Sequence, residues 1–414
     1  MTKPLKAVFI CQYYPPEQAP IGVMLKELAE DMVKNGHRAT VVTGFPNHPS
    51  GKLFPGFKRK PFGITWQGGV RIIRCWLWLS SSKTTFSRLL NFISFGITSF
   101  LAVLLFEKPD LIMAVSPPLS NGIVAMMLKG LKRCRYIFNV QDIYPDAAMN
   151  VGVIKHRGVI GLFKKLEMAI YRKARKVTVI SEGFKENLIL KGLDPEKIDI
   201  IYNWIDSAEI VPKPKDNAFA LEQGLTGKFV VLYSGTIGVI SGAEIMLECA
   251  QSLNLYSDIL FLMVGEGVVK DRIKTAAGQK DLKNIMLLPF QPREILSEVL
   301  SSADLAVLTL QKNRGQSSVP SKLLGYLAAA RPVAASLDAD SDTARFINRA
   351  RCGICVPAED AAGLTAAILS LYNDPARRAS LGQNGREFLL QYCDRESATA
   401  QYQKLMEECV NRKT

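Results

Sequence analysis

Short apolar, β-branched runs alternate along this chain with longer stretches in which apolar residues recur every three or four positions. That alternation predicts strands covered by amphipathic helices. In the first half, strands are expected over 7–11, 39–43, 70–74, 111–115, 135–140, 177–180 and 199–202. Helices are expected over 22–35, 86–106, 119–131, 159–174 and 182–190. A polar run with Pro212 and Pro214, spanning 212–227, then breaks the pattern and reads as a linker. The alternation restarts with strands over 229–233, 259–264, 285–288, 305–309, 333–336 and 354–356. Its helices fall over 243–255, 268–277, 294–301, 321–329 and 361–371. Strand–helix alternation implies parallel sheets covered by helices. The predicted fold is therefore α/β, with two doubly wound, Rossmann-like domains over 1–211 and 228–393. A polar helix over 394–414 is expected to pack back on the first domain. Ligands of such sheets bind beyond the carboxyl ends of strands, so a cleft between the domains is expected.

One stretch concentrates the candidate chemistry. SSVPSKLLGYLAAARPV, 317–333, joins the strand-like DLAVLT to the strand-like VAAS through a helix. A helix starting at the carboxyl end of a parallel strand favours an anion through free N–H groups and the helix dipole. Ser321 and Lys322 lie in that first turn. The stretch reads either as a diphosphate seat or as an ordinary helix start with Pro320 near its first position. Two more strand ends are glycine-rich: Ser234, Gly235, Thr236 and Gly238 after one strand, and Gly265, Glu266 and Gly267 after the next. In the first half, 13–22 is a loop with three prolines that ends at Gly22. It is not G-x-G-x-x-G, so a nicotinamide or flavin fingerprint is absent there. Gly22 at the helix start would admit a phosphate or sugar close to the backbone.

Charge changes the picture of the first half. Residues 1–206 carry 29 Lys+Arg against 15 Asp+Glu, and residues 207–414 carry 23 of each, so the whole excess of +14 lies N-terminally. An anionic partner follows: a phosphorylated substrate, an anionic membrane surface or nucleic acid. No nucleic-acid module supports the last. Eight scattered cysteines without framework spacing point to a reducing compartment, and Cys352/Cys355 read as small residues around a buried strand. Residues 89–106 carry no charge, close to the length of a membrane span. Asn91, Ser94, Gly96, Thr98 and Ser99 dilute the run, and Trp76, Trp78, Arg71, Arg74, Lys83 and Arg88 flank it. Segment 76–106 reads as membrane-associating at the headgroup level; a buried core helix and a true span are the other readings. Asp338-x-Asp340, with Asp342, has metal-site spacing but reads as a loop.

Taken in order, QYYPPEQAPIG, GHRATVVTGFPNHPSG, VSPPLSNG, NVQDIYPDAAMNVGV, VISEGFKENLILKG, IIYNWID, YSGTIG, MVGEG, ADLAVLTL and VPSKLLGYLAAARPV resemble glycosyltransferase family 4, the retaining enzymes of the GT-B fold. They look most like the bacterial subfamily that builds O-antigen, capsule and exopolysaccharide repeat units on a polyprenyl-diphosphate lipid. The resemblance implies a nucleoside-diphosphate-sugar donor, a lipid-linked acceptor, and no metal or other cofactor. It implies that Gly22 covers the donor diphosphate and that Ser234 to Gly238 and Ser321 to Leu324 (with Leu323 between) hold it. Gly265 to Gly267 and Leu288 to Phe290 would border the base. Asp142 would be the acidic residue near the reaction centre, or else a loop or capping Asp. Tyr144 would face the acceptor, and His48 would help bind acceptor or sugar, or else be a loop histidine without a role. The chain also departs from the family. The usual Arg and Lys after the first strand of the second domain read Thr236 and Ser241, and the usual Glu pair falls at Ser317 and Gly325. Lys322, with Arg293 or Arg314, would then supply the positive charge.

The expectation is a metal-independent hexosyltransferase, peripheral or monotopic on the cytoplasmic face of the bacterial inner membrane. Two rival readings are a catalytically degenerate assembly partner and a sugar-nucleotide 2-epimerase.

Overall fold

A computed structural model describes residues 4–17, 19–80, 84–144, 146, 156–313 and 319–411. Ser317, Arg314 and Lys83, named above, lie outside them. By backbone contacts the chain divides into two compact units, Met1–Asn203 with Ala398–Thr414, and Trp204–Ser397.

The first unit is built on an eight-stranded sheet in the order β3-β4-β2-β1-β5-β6-β7-β8. The strands are β1 (Lys6–Ile10), β2 (Arg38–Gly44), β3 (Phe62–Gln67), β4 (Val70–Cys75), β5 (Leu111–Ser116), β6 (Arg135–Val140), β7 (Lys176–Val179) and β8 (Ile198–Ile200). All pairings are parallel except β3 with β4. The central strands are apolar on both faces because helices cover both; β5 is buried along its whole length. The β3 strand was not expected from periodicity. It is an edge strand whose last four residues are exposed, paired through a hairpin at Gly68 and Gly69, both with positive φ. The Gly-Gly turn was its legible signal.

The second unit holds β9 (Phe229–Ser234), β10 (Ile259–Val264), β11 (Ile285–Leu288), β12 (Leu305–Thr309), β13 (Val333–Ser336) and β14 (Gly353–Val356), all parallel in the order β11-β10-β9-β12-β13-β14. The expected linker 212–227 is instead part of this unit. It contains a helix, Ala218–Glu222, and its lysines are tied down. The Lys213 N–H donates to Ser301 Oγ at 3.0 Å, and Lys215 Nζ lies 2.6 Å from Asp304 Oδ2. Prolines and polar residues marked irregular backbone there, not a free hinge. Residues 204–211 also fold with this unit.

The C-terminal helix, Arg395–Asn411, lies against the first unit's strands. Asn139 Nδ2 donates to Tyr402 Oη at 2.7 Å, and Asn35 Nδ2 donates to Gln403 Oε1 at 2.7 Å.

In the second unit the helix Ser321–Ala328 is held by the helix Pro375–Tyr392. Gly382 and Gly385 permit the approach: a Cβ on Gly382 would stand 2.2 Å from the Ala330 carbonyl oxygen, and one on Gly385 2.7 Å from Leu327 Cδ2. Arg386 Nη1 then donates to the Ala328 carbonyl at 2.7 Å, satisfying the helix's C-terminal end. Gly382→Ala is expected to destabilise this unit by about 3 kcal/mol, because backbone must move. Gly278→Ala, in open space on the helix Lys270–Gln279, is expected to stabilise it by about 0.5–1 kcal/mol. Urea midpoints of the two variants check both signs.

Candidate functional site

The second unit's candidate site forms where β9, β10 and β12 end. The loops after β9 and β10 continue the ladder beyond the strands: Gly235 N–H donates to Val264 O at 2.9 Å and Ile237 N–H to Glu266 O at 2.9 Å. Chain passes so close to chain here that a Cβ on Gly265 would stand 1.9 Å from Gly235 O, and one on Gly267 2.2 Å from Ile237 O. These two glycines are thus required by loop packing, not by approach of a ligand. Gly235 is different. It has φ +131°, and its missing Cβ would meet Lys322 Cε at 3.2 Å. The space is occupied by the Lys322 side chain crossing it.

Lys322 is the second residue of the Ser321–Ala328 helix, and burial pushes its pKa down to about 8. Its Nζ donates to Tyr233 Oη at 2.6 Å and lies 3.9 Å from the centre of that ring. Tyr233 Oη donates onward to the Thr236 carbonyl at 2.8 Å. Burial pushes the Tyr233 phenol up to about 12. Tyr326, one turn along the same helix, accepts the Ser234 N–H at 2.9 Å and so fastens the helix to the end of β9. Tyr233 and Tyr326 were not singled out in the sequence. The available signal was a Tyr closing the otherwise aliphatic FVVLYS.

Other predicted positions fall differently. Ser321 is exposed at the helix start, with no side-chain cap from Pro320. Leu323 and Leu324 are core side chains, so only their backbone is available to a ligand. Arg293 is ion-paired with Glu209, and Glu266 with Lys270 at 2.7 Å. Thr236 is exposed and Gly238 half-buried. Val239, Ile240 and Phe290 are exposed apolar side chains near these strand ends. A Cβ at Gly325 would meet Leu300 Cδ1 at 3.4 Å, an ordinary contact, so packing does not dictate glycine there. Asp338 accepts the Asn313 N–H at 2.7 Å, and Ser341 caps the following helix through the Ala344 N–H at 3.2 Å. This D-x-D segment is a loop-and-cap structure.

The first unit's candidate site forms beyond β1, β2 and β6. Gly22 is buried against backbone, since a Cβ there would stand 2.9 Å from Tyr13 O. The Tyr13–Tyr14 segment fills the space expected for a ligand. Glu17, not predicted, organises these loops: its buried carboxylate accepts the N–H of Asn47 at 2.9 Å and of His48 at 2.8 Å. Burial raises its pKa and those bonds lower it. Arg74 Nη2 donates to Pro15 O at 2.6 Å. A cavity of about 350 Å³ results, lined by Tyr13, His48, Trp78, Ser87, Arg88 and Asn91 among others. The His48 and Tyr13 rings lie 5.0 Å apart. Asp142 and Tyr144 follow β6 and are not part of that lining. Asp142 reaches solvent, while the protein around it pushes its carboxyl above the usual value. The Tyr144 hydroxyl is pushed up by burial and by Asp142, and Arg88 acts in the opposite sense.

The Thr85–Phe106 helix runs along this unit with two faces. Phe95, Ser99, Ala102 and Val103 are fully buried, and Phe86, Leu89, Ile93, Ile97, Leu101 and Leu105 are exposed. By length and composition, residues 86–106 are long and apolar enough to cross a membrane. One side of the helix, however, is packed into the domain.

Comparison with known proteins fits this geometry. The solved structure of HepE from Anabaena, in complex with UDP and glucose, superposes with a TM-score of 0.69 at 15% identity, over 97% of this chain and 99% of that one. WcaI of Escherichia coli K12, a glycosyl transferase assigned to colanic acid biosynthesis, is 26% identical over 398 residues, 94% of this chain and 96% of WcaI. The glycosyltransferase WbjE of Pseudomonas aeruginosa is 24% identical over 264 residues, 63% of this chain and 66% of WbjE. Residues 21–204 match the glycosyl transferase 4-like domain, and residues 216–388 match the glycosyl transferases group 1 domain. These two matches lie end to end over most of the chain, which belongs to the GT-B glycosyltransferases of bacterial polysaccharide biosynthesis.

Proposed function

We propose that this enzyme moves a sugar from a nucleoside-diphosphate sugar, held by the second unit, to a hydroxyl of a polyprenyl-diphosphate-linked saccharide, held by the first. The route is synthesis of a surface polysaccharide such as an O-antigen, a capsule or an exopolysaccharide. The observation that carries the donor half is Lys322, a desolvated cation at a helix start with no carboxylate partner among the described residues. The UDP and glucose bound by HepE and the colanic acid assignment of WcaI support the same reading.

In the transfer, the bond from the sugar's anomeric carbon to the diphosphate breaks, and its electron pair stays on the diphosphate. The acceptor oxygen bonds to that carbon with retained configuration and loses its proton. Charge builds on the leaving diphosphate, where Lys322 and the first turn of its helix offset it. Asp142 takes the acceptor's hydrogen bond and proton; a raised carboxyl pKa makes it a stronger base than an ordinary one. Phe290 and the neighbouring apolar side chains face the base, and no cofactor beyond the donor is called on. Arg88, His48 and Trp78 receive the acceptor's phosphate and sugar. The exposed face of the Thr85–Phe106 helix sets the enzyme on the cytoplasmic face of the inner membrane. Purified enzyme, nucleotide sugars and lipid-linked acceptors test the whole reading. Absence of both transfer and nucleoside-diphosphate binding would sink it.

Donor binding needs protonated Lys322, and its free pKa is about 8. Affinity for a nucleoside diphosphate should therefore hold below pH 8 and fall above it, by up to tenfold per pH unit once the lysine is neutral. Binding near pH 8 should take up a proton, seen by calorimetry in buffers of different ionisation enthalpy. Lys322→Met should lose roughly 10- to 100-fold in affinity and abolish that pH limb. Asp142→Asn should leave nucleoside-diphosphate affinity unchanged and lower kcat by about 10²- to 10⁴-fold.

A further inference from the structure

The first unit carries a second cavity, of about 640 Å³, that no step of sugar transfer uses. It lies at the amino edge of the sheet, where Lys6 and Arg38 begin β1 and β2. The acceptor-side loops follow the opposite ends of those strands, about 17 Å away for five residues. Its cations include Lys6, Arg38, Arg71, Lys108 and Lys132, and its acid is Glu107. Two of those cations are engaged. Arg71 Nη1 lies 2.7 Å from Glu107 Oε1 and donates to Phe106 O at 3.3 Å, and Lys132 Nζ donates to Leu104 O at 2.6 Å. Those bonds cover the negative C-terminal end of the Thr85–Phe106 helix, which would otherwise repel an anion. Lys6, Arg38 and Lys108 are exposed and make no ion pair among the described residues. The positive field continues across the neighbouring helix: Lys129 is lowered in pKa by burial and then by Lys197, Lys173 and Arg175.

The wall beside these cations is apolar and open to solvent. Trp66 is 68% and Leu105 63% exposed, with Phe106 next to them. A free phosphate would use the cations and leave that wall in water. An anionic lipid uses both. We propose that this cavity seats the phosphate headgroup of an anionic membrane phospholipid, with its acyl chains along Trp66, Leu105 and Phe106. The inference rests on the peripheral placement given above. It adds a fixed point: the headgroup seat stands at one end of a 22-residue helix, and Arg88, in the candidate acceptor cavity, stands near the other.

The test uses the full chain and flotation with vesicles of phosphatidylcholine, with or without phosphatidylglycerol. Wild type should bind the anionic vesicles. The Lys6→Ala/Arg38→Ala/Lys108→Ala variant should bind them about fivefold more weakly per charge removed, on the order of a hundredfold in all. Far-UV circular dichroism and the thermal midpoint, measured in parallel, should match wild type and show that the first unit of the variant is folded. Ile97→Gln, on the exposed helix face away from the cavity, should weaken binding to both kinds of vesicle. Equal binding of wild type and the triple variant overturns the headgroup seat. So does tight binding of glycerol phosphate in the absence of a bilayer, which would make this a soluble-anion site. If wild type binds no vesicle yet binds nucleoside diphosphate, the seat and the peripheral placement both fall while the donor reading stands.

Discussion

A lysine held largely out of water is the constraint on which the second unit's site depends. Moving the Lys322 pKa from 10.5 to about 8 corresponds to roughly 3 kcal/mol against the charged form. Its side-chain partners in the structure are a phenol ring and hydroxyl, not an acid. Several features of the fold exist to keep it there. Gly235 lacks the Cβ that would meet its stem, Tyr326 ties its helix to β9, and Gly382 and Gly385 let a second helix press against that helix from behind. In the function proposed above, an arriving diphosphate supplies the negative charge the lysine lacks, and the cost of desolvation turns into affinity.

In the first unit the comparable constraint is the helix with two apolar faces. A helix apolar all round belongs in a core or a bilayer. This one is in neither completely: Phe95, Ser99, Ala102 and Val103 have no contact with solvent, while Phe86, Ile97 and Leu105 are open to it. Because its inner face is fixed to the sheet and to the helix Ser120–Lys132, only one side is open to its surroundings. Trp76, Trp78 and Trp66 extend the exposed surface. Aromatic and aliphatic side chains beside lysine and arginine suit the headgroup region, where one side of a helix is dry and the other wet.

The order of strands and helices was legible in the sequence because each central strand is a short aliphatic run and each cover helix has a polar face. β6, β10, β11, β12 and β13 lie where periodicity put them. What failed were features whose cause is tertiary. β3 is an exposed edge whose pattern carries no burial signal. The 212–227 segment looks like a linker because its contacts, Lys213 to Ser301 and Lys215 to Asp304, are made by polar side chains far away in sequence. Glycine was the least legible residue. Gly22, Gly265 and Gly267 invite a ligand when seen as letters, yet each is filled by backbone from a neighbouring loop. Gly235, by contrast, makes room for the Lys322 side chain. Glu17 and Tyr233 lie within quoted motifs, yet nothing in QYYPPEQAPIG or YSGTIG marks them out; their importance comes from where the loops bring them.

The departures from the family pattern acquire a physical meaning in this arrangement. With Thr236 and Ser241 in the places of the usual cationic pair, the proposed diphosphate seat has one lysine for its positive charge, a point charge without the fork of an arginine. A carboxylate beside it would raise its pKa and keep it protonated, but would also cancel the charge the donor needs. Tyr233 avoids that conflict. Its proton is donated to the Thr236 carbonyl, and burial pushes its pKa up to about 12. The phenol therefore stays neutral well below that pH. It accepts one ammonium hydrogen and lays its ring against the cation, which orients the lysine without neutralising it. In the proposed function the remaining ammonium hydrogens are left for the diphosphate. An electropositive site can thus be kept with a single cation, provided that the group fixing it carries no charge of its own.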